Sequence, residues 1–208
     1  MRALLLLDIQ NDFCPGGALA TLHGDQIIMV ANRLIAHFDL VLATLDFHPP
    51  DHGSFVVHHP GKRAFDMGEL AGRPQLLWPV HCVQGTHGAE FHPGLRVGAI
   101  EQVFAKGTDP HIDSYSGFFD NGRRKSTGLY DCLRAHDVDH VVVMGLPTDY
   151  GVKATVLDAL DLGLQVTVVA DGCRPLELSP GDGERAMAEM RRAGAHIEQS
   201  PAFASAGP

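Results

Sequence analysis

The 208-residue sequence predicts an α/β fold, a doubly wound and mainly parallel sheet flanked by helices, built as a single domain. Three observations lead there. Short, continuously apolar runs recur along the chain, amphipathic patterns lie between them, and a 45% hydrophobic content over this length suits one core of ordinary size.

The elements follow in order. "RALLLLDIQ" has the unbroken apolar character of a strand buried on both faces. Asp25 to Phe38 follows as a helix, with Ile27, Ile28, Ala31, Leu34, Ile35 and Phe38 on one face. "FDLVLATLDFH" is a second buried strand. Pro49 to Thr108 is rich in Gly, Pro and His and carries little periodicity beyond a short strand at "EQVFAKG", so it reads as an extended active-site excursion rather than a linker. Ser126 to Ala135 is helical, "VDHVVVMGL" a strand, Tyr150 to Leu162 a helix, "LQVTVVADG" a strand and Glu184 to Ala193 a helix. "SPAFASAGP" reads as a short disordered tail, which gives a domain over 1–200 and a tail over 201–208.

A net charge of -9, with no basic run longer than "GRRK", argues against nucleic acid or an anionic membrane as partner and favours a small molecule. The apolar start "ALLLLDIQ" is too short to span a bilayer and runs straight into polar residues, so a cytoplasmic protein is expected. Cys14, Cys82, Cys132 and Cys173 lie far apart without CxxC spacing and read as reduced thiols.

In open α/β sheets ligands bind beyond the carboxyl ends of the strands. Those ends carry Asp8, then Asp46 and His48, then Lys106, then the turn from Gly145 to Gly151. In an extended segment Asp46 and His48 point the same way, a pairing that suits a borderline divalent metal: zinc first, with iron or manganese as alternatives. Histidines crowd between His48 and His92; His81 in "WPVHC" is the choice for a third ligand and His52 for a fourth. The same residues also read as a hydrogen-bonded Asp among solvated histidines. A buried Asp8 needs a partner, and Lys106 is the natural one; together they form either a structural ion pair or a base able to activate a thiol.

"DIQNDFCPGGALA", "DFHPPDHGSF", "WPVHCVQGT", "AKGTDPHIDSYSGFFDNGRR" and "MGLPTDYGVKATVLDALDLG", in this order, closely resemble the motifs of bacterial nicotinamidases of the pyrazinamidase type, in the isochorismatase-like cysteine hydrolase superfamily. The likeness runs from about Leu4 to Gly194. It implies the isochorismatase-like hydrolase fold and hydrolysis of nicotinamide to nicotinic acid and ammonia. It also implies Asp8 as general base, Lys106 as its lysine partner, and Asp46, His48 and His81 as ligands of a divalent ion near the pyridine nitrogen. Phe13, Trp78 and Tyr115 correspond to pocket residues around the ring, and His52 to a ligand found in part of the family. Superfamily members often assemble, so a homo-oligomer stays open.

The nucleophilic cysteine of this resemblance falls at Gly151, and Cys14, Cys82 and Cys173 match motif cysteines that are not the nucleophile. A glycine cannot form the acyl-enzyme, so this chain is expected to be inactive by that route. Two accounts stay open: a hydrolase whose nucleophile was replaced, or a chain that binds nicotinamide or another planar amide without hydrolysing it. Intact Asp8, Lys106 and metal set favour the first. The resemblance further implies a cis peptide before Pro147 and an oxyanion hole shared by the N–H groups of residues 147 and 151; a proline there supplies no N–H.

Overall fold

A computed structural model describes residues 1–204. Its centre is a six-stranded parallel sheet in the order β5-β2-β1-β6-β7-β8. The strands are β1 (Arg2–Leu7), β2 (Val41–Asp46), β5 (Gln102–Lys106), β6 (His140–Gly145), β7 (Gln165–Cys173) and β8 (His196–Glu198). Leucine is a good helix former, yet Leu4 to Leu7 form a strand because they lie between β2 and β6 with essentially no exposure on either face.

The chain lays β2 and β5 on one side of β1, then returns to lay β6, β7 and β8 on the other. The order therefore reverses between β1 and β6, and the crevice beyond their carboxyl ends is where such sheets bind ligands. Helices α1 (Ile27–Ile35), α2 (Leu129–Ala135), α3 (Lys153–Asp161) and α4 (Asp182–Ala193) connect the strands. In α1, Ile27, Ile28, Ala31, Leu34 and Ile35 are buried, the face that the sequence periodicity predicts.

Several details depart from the sequence reading. The helix expected from Tyr150 is preceded by a wide π-helical turn, Thr148–Val152, and regular α-helix begins at Lys153. A small antiparallel hairpin, β3 (Met67–Leu70) with β4 (Arg73–Leu76), lies in the Pro49–Thr108 excursion. The expected tail is docked at its start: Pro201–Ala204 (α5) form a short helix, Ser200 donates to Asp171, and Phe203 packs against Phe38 at 6.0 Å. Residues 205–208 of that tail lie outside the described residues.

The peptide before Pro147 is trans, as is every described peptide, which corrects the expected cis bond. An X–Pro bond still prefers trans by about 0.5–1 kcal/mol. Reversal of the chain after β6 falls instead to Gly145, at φ +143 and so close to β1 that a Cβ would stand 2.1 Å from the Leu7 carbonyl oxygen. No helix among the described residues is long and apolar enough to cross a membrane.

Candidate active site

Beyond the carboxyl ends of β1, β2, β5 and β6 lies a cavity of about 30 Å³. Asp8, Phe13, Asp46, His48, Trp78, His81, Lys106, Tyr115 and Gly151 all line it, together with Leu19, Asp113, Ser114, Pro147, Tyr150 and Leu176. His52 does not reach it.

The charged core is a buried chain of three groups. Lys106, paired in register with Asp46 across the β2–β5 ladder, places Nζ 2.9 Å from Asp46 Oδ1 and 3.0 Å from Asp8 Oδ2. A third contact, 3.2 Å, runs to the Ser114 carbonyl oxygen. Thr44 donates to Asp8 Oδ1 at 2.5 Å. Asp8 Oδ2 receives no well-directed hydrogen bond, only the proximity of the ammonium. Asp8 sits at φ +50, which turns the chain out of β1 and aims its carboxylate along the crevice.

Two carboxylates share one ammonium, and their proton affinities part. Burial raises the Asp8 carboxyl above its ordinary range, only partly offset by Lys106. For Asp46 the burial penalty is outweighed by His48 and Lys106, which hold it well below the usual carboxylate range. Burial disfavours charge on Lys106 as well, but the two carboxylates keep it firmly protonated. Asp8 is thus the carboxylate that can take a proton, and Asp46 the one that stays ionised.

Asp46 Oδ2 faces two imidazoles, His48 Nε2 at 3.1 Å and His81 Nε2 at 3.3 Å, and one ligand atom from each of the three residues lies within 4.8 Å of the others. The far ring nitrogens are pinned: His48 Nδ1 lies 2.9 Å from the Gly107 carbonyl oxygen and His81 Nδ1 2.9 Å from that of Pro79. A carbonyl can only accept, so each Nδ1 carries a proton, and each Nε2 points inward at Asp46, the position from which it would coordinate an ion. That backing of the far nitrogen is how proteins orient metal-binding histidines, and the donor set fits a divalent ion.

His52 stands apart. Its Nδ1 pairs with Ser54 Oγ at 2.8 Å, and its Nε2 is buried without a partner. It groups with His48 and Asp113 rather than with Asp46 and His81.

The ring walls are aromatic. Trp78 meets Tyr150 edge-on at 4.9 Å and Tyr115 at 6.1 Å, while Phe13 meets His81 at 5.7 Å. Gly151 lies on the π-helical turn with its carbonyl accepting from Thr155 Oγ1 at 2.7 Å. A Cβ added there would stand 3.2 Å from Asp8 Oδ2. No cysteine lines the cavity. Burial pushes the thiol of Cys14 up to about 11 and that of Cys173 up to about 12, and raises that of Cys82 well above its ordinary value, so none is a ready nucleophile.

Sequence reasoning missed Gln10, Thr44, Asp113 and Tyr150. Gln10 is fully buried: its Oε1 accepts from the Asp46 N–H at 2.9 Å, and its Nε2 donates to the carbonyl oxygens of Asp46 at 2.7 Å and Ala89 at 2.9 Å. Tyr150 had a signal, an aromatic next to the nucleophile position, that was read only as part of a helix.

An isochorismatase domain model matches residues 2–201. A nicotinamidase of Escherichia coli is 54% identical over 200 residues, covering 94% of this chain and 93% of its own. The solved structure of a nicotinamidase/pyrazinamidase from Acinetobacter baumanii superposes with a TM-score of 0.93 at 42% identity, over 97% of both chains. A pyrazinamidase of Pyrococcus horikoshii, solved in complex with zinc, superposes at 0.78 with 38% identity, over 95% of this chain and 98% of its own.

Proposed function

We propose that this chain, which belongs to the isochorismatase-domain family, is a nicotinamidase scaffold whose pyridine-carboxamide site is complete and whose nucleophile position is held by Gly151. One observation carries the reading. A Cβ at Gly151 would face the buried Asp8 carboxylate at 3.2 Å, in a cavity whose other walls include the Asp46, His48 and His81 cluster and an aromatic slot.

Phe13, Trp78 and Tyr115 sandwich a planar ring, and Tyr150 closes the slot. Asp46, His48 and His81 would hold a divalent ion, zinc or another of its kind, which when bound would supply a Lewis-acid contact for the ring. The ring so anchored leaves its amide toward residue 151. In a chain with cysteine there, Asp8 takes the thiol proton, Lys106 holds the Asp8 carboxylate in place, sulfur attacks the amide carbon, and ammonia leaves. Water then releases nicotinic acid. With Gly151 only the binding part of this sequence survives, and covalent turnover does not occur.

A second reading, a binder of nicotinamide or another planar amide, draws on two departures at the reacting turn itself. Pro147 offers no N–H and Gly151 no nucleophile, while the ring and ion walls are kept. Ammonia release from nicotinamide by this chain and by Gly151→Cys, side by side with metal content verified, decides. Turnover only in the cysteine form supports the hydrolase scaffold. Binding by both with turnover by neither supports the binder and removes the catalytic roles given to Asp8 and Lys106.

A further inference from the structure

We propose that Asp149 is the positioning residue that sets the size limit of the ring slot, which it does by holding Leu176 in the cavity wall. The inference rests on the pyridine-carboxamide reading above and gives a specificity role to a carboxylate that is not itself part of that wall.

Three observations carry it. Leu176 lines the cavity together with Tyr150 and Gly151, yet it belongs to the connection between β7 and α4, which has no regular secondary structure over 174–177. A side chain on such a segment stays in place only if its backbone is tied. The ties come from the π-helical turn that carries residue 151. The Thr148 N–H donates to the Arg174 carbonyl oxygen at 2.9 Å, while Asp149 accepts from the Leu176 N–H at Oδ1, 2.9 Å, and from the Glu177 N–H at Oδ2, 3.0 Å. One carboxylate thus spends both oxygens on two successive amides and fixes the backbone on either side of Leu176. Asp149 is 6% exposed, so these charge-assisted bonds are shielded from water. Finally, the cavity is narrow, about 30 Å³, and a wall side chain held this firmly has little slack before it meets a ring substituent.

The slot wall and the residue 151 position are therefore built on one turn. Loosening Asp149 should widen the slot at Leu176 and leave the Asp46, His48 and His81 cluster alone.

The test measures dissociation constants by calorimetry on the full, metal-loaded chain, for nicotinamide and its four ring-methylated isomers. The unaltered chain is compared with Leu176→Ala, Asp149→Asn, Asp149→Ala and the double variant of Leu176→Ala with Asp149→Ala. One carbon too many in a close-fitting apolar pocket costs about 10- to 200-fold in affinity. Leu176→Ala is expected to relieve that penalty by about tenfold for the isomer whose methyl meets Leu176, and Asp149→Ala to relieve it for the same isomer. Asp149→Asn, which keeps one oxygen, should relieve it by a smaller factor, and the double variant by no more than Leu176→Ala alone. A merely structural Asp149 would weaken all five ligands by one common factor and leave their ranking unchanged; that result overturns the proposal, as does relief of a different isomer or of none. Where circular dichroism shows Asp149→Ala unfolded, Asp149→Asn decides on the same ranking. Failure of the unaltered chain to bind nicotinamide overturns the site reading, and this proposal with it.

Discussion

Replacing Gln10 by alanine tests how the Asp46 end of the site is held. β1 stops at Leu7, opposite Thr44, two residues short of the end of β2 at Asp46. The Gln10 carboxamide fills that place as a surrogate peptide: it accepts from the Asp46 N–H and donates to the Asp46 carbonyl, as a strand running alongside would. Alanine leaves the Asp46 N–H, the Asp46 carbonyl and the Ala89 carbonyl without this partner at a fully buried position. At about 1–3 kcal/mol for each buried group left unpaired, and allowing for water entering the gap, the loss is roughly 3–6 kcal/mol, a large share of a typical 5–15 kcal/mol. Urea unfolding followed by circular dichroism should show a lower midpoint with an unchanged slope, and zinc retention on dialysis should fall in parallel. A midpoint shift worth less than about 0.5 kcal/mol would refute the surrogate-peptide account.

Gly151→Cys asks Asp8 to give by a few tenths of an ångström, and it should raise ammonia release by several orders of magnitude in a stopped assay, the scale on which nucleophiles count. In that cysteine background Pro147→Ala should raise kcat by about 10- to 100-fold with little change in KM if its N–H serves the oxyanion; an unchanged kcat removes that role. Asp46→Asn should take bound zinc, measured by elemental analysis, from near one per chain to near none. His52 is pushed down to about 4, by burial first and His48 second, so it is neutral in the folded chain. The unfolded chain alone takes up this proton as pH falls below 6.5, and metal-free protein loses stability from pH 6.5 to about 4, by up to roughly 3 kcal/mol relative to His52→Gln; parallel melting curves for the two would count against it.

The central sheet was legible because Leu4 to Leu7, Val41 to Ala43 and Val141 to Met144 are buried on both faces and read as unbroken apolar runs. The hairpin was not: "MGEL" and "RPQL" contain no β-branched residue, and the turn at Ala71 and Gly72 is held by positive φ rather than by a marked turn pair. Asp46, His48 and Lys106 could be singled out since they follow strands directly. Gln10, Thr44 and Asp113 could not, because each acts through a partner distant in sequence, as Gln75 does in donating to Asp113 across 38 residues. The π-helical turn that carries Gly151 is a local departure from regular helix that hydrophobic periodicity does not encode.

The position of Lys106 between Asp8 and Asp46 has a consequence for how the protein responds to ligands. Lys106 and Asp46 are 60 residues apart along the chain and meet only when β5 has paired with β2, so the site has no local precursor in a collapsed or partly folded chain. A molecule that needs the assembled cavity discriminates almost completely between native and denatured populations. Each tenfold excess of such a molecule over its dissociation constant then adds about 1.4 kcal/mol to the native state. Melting temperature therefore becomes a ligand detector for this chain, one that works whether or not residue 151 can do chemistry.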